Sequence, residues 1–115
     1  MAIDYRTSRL VDYDLLSFLK DTNCTGIQFK VLCLLGRHPK AKLSLHAIAR
    51  ALNTSAINLR DAIANLVETG ILKARHNNDS LTTYALALAD QQTKEYIDEL
   101  GRLDCSQMMS LEKQL

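Results

Sequence analysis

Tryptophan is absent from this 115-residue chain, and the other aromatics are few: two phenylalanines and four tyrosines. One proline and four glycines are too few for a flexible linker, and neither a low-complexity segment nor an internal repeat is present. Collagenous, solenoid and disordered architectures are thereby excluded. Apolar runs are short: Val31 to Leu35 falls far below the length needed to cross a bilayer, so no membrane partner is expected. The first residues are polar and acidic rather than signal-like, which makes the cytoplasm the expected compartment. Cys24, Cys33 and Cys105 are odd in number and widely spaced, with no CxxC pair, as suits a reducing environment. Cys33 is expected to pack inside a helix. His38, His46 and His76 have no partners at metal-ligand spacing. No Ser/His/Asp, Cys/His or paired-carboxylate constellation occurs, nor a glycine-rich phosphate loop. The expectation is a non-enzyme with no cofactor.

What remains is an ordinary globular composition, 47% apolar, in a chain long enough for one domain spanning 1–115 with one core. The net charge of +1 conceals a segregation. From Gly26 to Asn78, eight basic residues (Lys30, Arg37, Lys40, Lys42, Arg50, Arg60, Lys73 and Arg75) face two acidic ones, Asp61 and Glu68, a net of +6. Residues 1–25 carry three basic against four acidic groups, and residues 79–115 three against seven. A basic middle between acidic ends is a candidate polyanion surface.

The periodicity divides the chain further. An apolar cluster, Leu15, Leu16, Phe18 and Leu19, predicts a short first helix from about Asp12 to Lys20, within a 12–24 region. Thr25 and Gln28 have capping-box spacing before a wide stripe of Ile27, Phe29, Val31, Leu32, Leu34 and Leu35, and Gly36 with Pro39 is expected to close that helix. Ser44 caps a two-turn helix carrying Leu45, Ile48, Ala49 and Leu52. Asn53-Thr54-Ser55 breaks it, and Ser55 caps a third helix that buries Leu59, Ala62, Ile63, Leu66 and Val67. Gly70 sits where a helix stop wants a positive φ. The period then alternates: "ILKARH" and "LTTYALAL" flank the turn "NNDS", a β-hairpin. Asp90 caps a final helix with Tyr96, Ile97, Leu100 and Leu103, followed by a tail holding Met108, Met109 and Leu111. The order predicts a mainly α chain with a small β-hairpin (α+β): a winged helix–turn–helix core at 25–89 with flanking N- and C-terminal helices, the latter at 90–115.

"TGIQFKVLCLLGRHP", "LSLHAIARALNTSAINLRDAIANLVETGIL" and "KARHNNDSLTTYALALA" together resemble a winged-helix transcription regulator of the MarR type across residues 25–103. The resemblance implies a homodimer on pseudo-palindromic double-stranded DNA. The third helix, 55–69, would enter the major groove and the wing, 71–88, would touch backbone or minor groove. Terminal helices would form the dimer, and a small-molecule effector between the two regions would tune occupancy, although no residue identifies one. The family's wing commonly carries Asp-x-Arg, whereas Asp79 here precedes Ser80 and Leu81, leaving Arg75 or His76 for that contact.

Placing Leu59 at the centre of the buried face sets Ile57, Asp61, Ala64 and Glu68 opposite, with Asn65 nearby and Asn58 and Arg60 on the flanks. Asn and Arg suit adenine and guanine edges, an Asp can accept from cytosine, and Ile57 or Ala64 can meet a thymine methyl. Candidate contacts are therefore Ser55, Ala56, Ile57, Asn58, Arg60, Asp61 and Asn65 on the helix. Lys42, Arg50, Lys73, Arg75, His76 and Asn77 lie around it, and Arg37 and Lys40 are further cations that could meet phosphates. An Ile/Asp/Ala face also suits a protein-contact module or adaptor, and a phage or plasmid replication or partition protein would bind DNA as well. The apolar stripes of the first and last helices suit a dimer seam or the core.

Overall fold

The computed structural model describes residues 15–24, 26–76, 81–87 and 90–114. Within them, helix α1 covers 15–21, α2 Ile27–Arg37, α3 Leu45–Ala51, α4 Ala56–Glu68, α5 Gln91–Gly101 and α6 Cys105–Gln114. Strands β1 (Leu43–Ser44), β2 (Leu72–His76) and β3 (Thr82–Leu86) form an antiparallel sheet in the order β1-β3-β2. Among the described residues no helix is long and apolar enough to cross a membrane. The expected winged helix–turn–helix is present, with a third strand added to its hairpin.

The helix ends follow from local chemistry. Ser44 and Ser55 accept hydrogen bonds from the amides of Ala47 and Asn58, each at 3.2 Å, as N-caps of α3 and α4. Asp90 accepts from the Thr93 hydroxyl at 2.8 Å and its amide at 3.2 Å, and these bonds hold its carboxyl below the usual range. Three helices stop in the same way. At α1, α3 and α4 a left-handed residue (Asn23, Asn53 or Gly70) donates its amide to the carbonyl three residues back. The following amides, of Cys24, Thr54 and Ile71, reach the carbonyls of Leu19, Ala49 and Leu66. This double closure makes the α3–α4 turn tight. Helix α2 differs from expectation: Gly26 occupies its N-cap with no side-chain cap, and Thr25 lies outside the described residues.

The core is aliphatic. Leu15, Leu19, Val31, Leu32, Leu35, Ile48, Leu59, Ile97 and Leu100 are each fully buried, with Phe29 and Ile63 nearly so. Of the stripe expected on α4, Leu59, Ile63 and Leu66 are buried, while Ala62 and Val67 are half-buried. The apolar stripes of α1 and α5 therefore pack inside this chain. Phe18 and Tyr96 stack at 4.7 Å between ring centres, joining the two helices.

Gly36 does not close α2, which continues to Arg37. Its role is a backbone crossing with Gly101 of α5. A Cβ on Gly36 would collide with the Ile97 carbonyl and lie 2.9 Å from the Gly101 amide, and one on Gly101 would collide with the Gly36 carbonyl. The expected tail after Leu103 is instead the helix α6. Asp104 accepts from the Gln107 amide at 2.8 Å while Gln107 accepts from the Asp104 amide at 3.0 Å, a reciprocal capping box. Leu111 anchors α6 on the core.

Gly36→Ala should destabilise the fold by about 3 kcal/mol, because two rigid backbones have to separate. Gly70→Ala should cost only about 1 kcal/mol, the strain of a left-handed residue in open space. Urea unfolding of both variants checks this; equal losses would mean that the crossing is not tight.

Candidate nucleic-acid interface

Helix α4 is amphipathic in the way the interface requires. With Leu59, Ile63 and Leu66 held in the core, Ile57, Asn58, Arg60, Asp61, Ala64, Asn65 and Glu68 are exposed. Ile57 is 79% exposed, an extreme value for a large aliphatic side chain. Ser55 is exposed but its oxygen is engaged as the N-cap, and Ala56 is half-buried, so these two offer mainly backbone and methyl surface. Asn65 lies to one side of the face. It lines a cleft of about 510 Å³ with Asn23, Ile27, Gln28 and Ala62, between α4 and the α1–α2 corner. A neighbouring cleft of about 170 Å³ shares Asn23, Gln28 and Asn65. Three amide side chains thus converge beside the helix, and sequence spacing alone could not bring Asn23 and Gln28 there.

The sheet supplies the cations. Register pairs Leu72 with Leu86, Lys73 with Ala85, Ala74 with Tyr84, Arg75 with Thr83 and His76 with Thr82. Leu43 pairs with Tyr84 and Ser44 with Thr83. Since neighbours along a strand alternate faces, Leu43, Leu72, Tyr84 and Leu86 share the inner face, where β1 and β3 pack on α3 and β2 on α4. Lys73, Arg75, Thr83 and Ala85 share the outer one. Continuing the β1 register places Lys42 opposite Ala85 as well. Lys42, Lys73, Arg75, Thr83 and Ala85 line one cleft of about 50 Å³. Ala74, expected on the inner side with Leu72, is nevertheless exposed, because β2 runs past the core after its first residue.

The remaining candidates scatter. Arg50 is exposed in the last turn of α3, and Lys40 is exposed in the α2–β1 link. His76 is exposed, its Nδ1 2.8 Å from the Thr82 hydroxyl. Asn77, and the wing tip through Ser80, lie outside the described residues. Arg37 is an intramolecular tie: it donates to the Leu103 carbonyl at 3.1 Å and meets the Met108 sulfur at 2.9 Å. Lys94, which sequence reading passed over, joins Lys73, Pro39, Leu86 and Ala87 around a second cleft of about 440 Å³.

No cluster of three or more His, Cys, Asp or Glu able to hold a metal occurs among the described residues. The cysteines are all free, Cys24 and Cys33 buried and Cys105 exposed. Burial pushes the Cys33 thiol up to about 12, against the pull of the Arg37 guanidinium and with a further push from Glu112. Burial also raises Cys24, opposed by the Thr22 hydroxyl bonded to its sulfur.

Comparison with protein-family models and with curated protein sequences finds no match. Solved structures do match. A variant of Staphylococcus aureus MepR bound to an oligodeoxyribonucleotide superposes with a TM-score of 0.61 at 14% identity, over 97% of this chain and 89% of that one. MepR itself, a transcription regulator of the multidrug efflux pump MepA, gives 0.60 at 16% identity, over 98% and 82%. Reduced E. coli MarR gives 0.60 at 20% identity, over 99% and 82%. The chain therefore has the winged-helix fold of the MarR-type regulators across nearly its whole length.

In native protein near pH 8, a thiol reagent should modify Cys105 quickly and leave Cys24 and Cys33 until denaturant is added. Equal rates at all three would contradict this packing. Because folding raises Cys33 above its ordinary 9.0, its stabilising contribution is complete below about pH 9 and is lost as pH rises towards 12. The urea midpoint should fall across that window.

Proposed function

We propose that this chain acts in the cytoplasm as a sequence-specific double-stranded DNA-binding transcription regulator and works as a homodimer. The recognition helix, 55–69, enters the major groove, and the wing, 71–88, lies on the backbone or in the minor groove. One observation carries this reading: a helix locked into the core by Leu59, Ile63 and Leu66 presents Asn58, Arg60 and Asn65 outward, beside a sheet bearing Lys42, Lys73 and Arg75. Amide and guanidinium groups read base edges, and lysines and arginines neutralise phosphates. A nearby fold relative is bound to an oligodeoxyribonucleotide, which supports the same use of the fold here. Arg50, His76 and Asn77 would add backbone contacts, and Ser55, Ala56, Ile57 and Asp61 would line the groove. An effector that tunes occupancy would be a small molecule.

A second reading is a protein-contact module, favoured by the exposure of Ile57 next to Asp61. Titrating duplex DNA across salt concentrations separates the two. About six phosphate contacts give a log–log slope near −5. No binding to any duplex at low salt would leave the protein-contact reading. Arg75→Ala should weaken all duplexes alike, and Arg60→Ala should weaken a selected site more than random DNA.

For the dimer, Leu15, Leu19, Ile97 and Leu100 of the α1 and α5 stripes are already covered, which leaves a seam there only the half-buried Leu16, Phe18 and Tyr96. Met109 on α6, 60% exposed, is a large apolar side chain left uncovered near the C-terminal end. Light scattering should give twice the 12.9 kDa chain mass, and Met109→Glu should shift it towards monomer. A monomeric unmodified chain would rule the dimer out.

A further inference from the structure

We infer that the outer face of the β1-β3-β2 sheet is one phosphoryl-oxyanion site, built jointly by Lys42, Lys73 and Arg75, rather than three separate surface charges. The inference deepens the DNA reading and rests on it only where the phosphoryl group is a backbone phosphodiester. A free phosphate monoester would use the same chemistry.

Strand parity makes the site. The central strand β3 turns only Thr83 and Ala85 outward, and Ser44 on β1 pairs with Thr83. Small side chains along the middle leave a trough, while the cations rise from the two flanking strands. Lys73 lies directly beside Ala85 across one ladder, and Lys42 continues the register on the other side. Their backbones are therefore about 10 Å apart, two strand spacings. Arg75 follows Lys73 two residues along the same face, about 7 Å away. Side chains of this length can close over a single tetrahedral anion. The cleft they share with Thr83 and Ala85 has a volume of about 50 Å³, on the scale of one such group.

The donor set matches a phosphate. Two ammonium groups act as point charges, a guanidinium offers a planar fork for two oxygens, and the Thr83 hydroxyl can donate from the floor. Among the described residues no Asp or Glu lines the cleft, and no carboxylate pairs with Lys42, Lys73 or Arg75. A bound dianion or diester would supply the counter-charge. The adjoining cleft shares Lys73 and adds Lys94, giving room for whatever the phosphoryl group is attached to.

The test is an amide NMR titration of the full chain at constant ionic strength, with inorganic phosphate in one arm and a duplex in the other. Phosphate should move the Thr83 and Ala85 resonances saturably. Lys73→Gln and Arg75→Gln should each weaken that binding about tenfold, and Lys113→Gln, which removes an exposed cation in the last turn of α6, should not. If the duplex moves the same amides and phosphate competes with it, the phosphoryl group comes from the DNA backbone. If phosphate saturates while the duplex leaves those amides in place, the source is a free phosphate monoester. The proposal is overturned if neither ligand moves them, or if the shifts are linear and equally large around Lys113. The amides of Ile57 and Asn58 report separately on α4: their silence with every duplex would sink the DNA reading while leaving the phosphate arm intact.

Discussion

The contact between Gly36 and Gly101 sets the distance between α2 and α5, and much else in the fold depends on it. With no side chain at either position, the two backbones meet directly, and Ile97 and Leu100 drop into full burial against the central helix. Docked there, α5 offers Tyr96 to Phe18 of α1. Arg37, one residue beyond Gly36, then reaches the Leu103 carbonyl and the Met108 sulfur, fastening the start of α6. Both ends of the described chain are in this way tied to the α2–α5 pair. Ridges and grooves of ordinary side chains hold helices 8–10 Å apart; a single methyl at either glycine would push this pair outward and loosen every one of those attachments.

The charge is sorted along the same chain. The acidic residues concentrate in the terminal segments, while residues 26–78, which include α2, α3, α4, β1 and β2, carry eight of the fourteen basic ones. Within the basic part the sheet sorts again, by parity: apolar side chains inward, Lys42, Lys73 and Arg75 outward over a floor of small residues. A field built from three cations in one place falls off over about 10 Å at ordinary ionic strength. It therefore acts on whatever touches the sheet, and steers a polyanion only at close range.

Much of this was legible in the sequence because it is written in local chemistry. Ser44, Ser55 and Asp90 cap the helices expected of them, Gly70 takes the positive φ its place demands, and the stripe on α4 faces inward. What escaped depends on long-range partners. Gly36 reads as a helix stop until Gly101 is brought against it. Leu43 and Ser44 are too few to show a strand period, so Lys42 could not be aligned with Lys73. The stripes on α1 and α5 suit a seam and the core equally until Leu15, Leu19, Ile97 and Leu100 are found fully buried. One omission was avoidable: Asp104 and Gln107 carry capping-box spacing, which marks the start of α6 without any structure.

An arginine-poor reading helix is compatible with DNA recognition if affinity and specificity come from different elements. Phosphate contacts position a protein without reading sequence, and base contacts discriminate without needing much charge. In the proposed docking the sheet provides the first. Helix α4 provides the second through Asn58, Arg60 and Ile57, with Asn65 near the α1–α2 corner. Asp61 then becomes a filter: near phosphates it repels, and that cost is offset only where a cytosine amino group meets it. Such a helix gains little from any single base pair. A selective site has to collect several modest preferences, and two copies of the chain, about one helical turn apart on the duplex, double their number. The weaker each helix is as a reader, the more the proposed function requires the dimer.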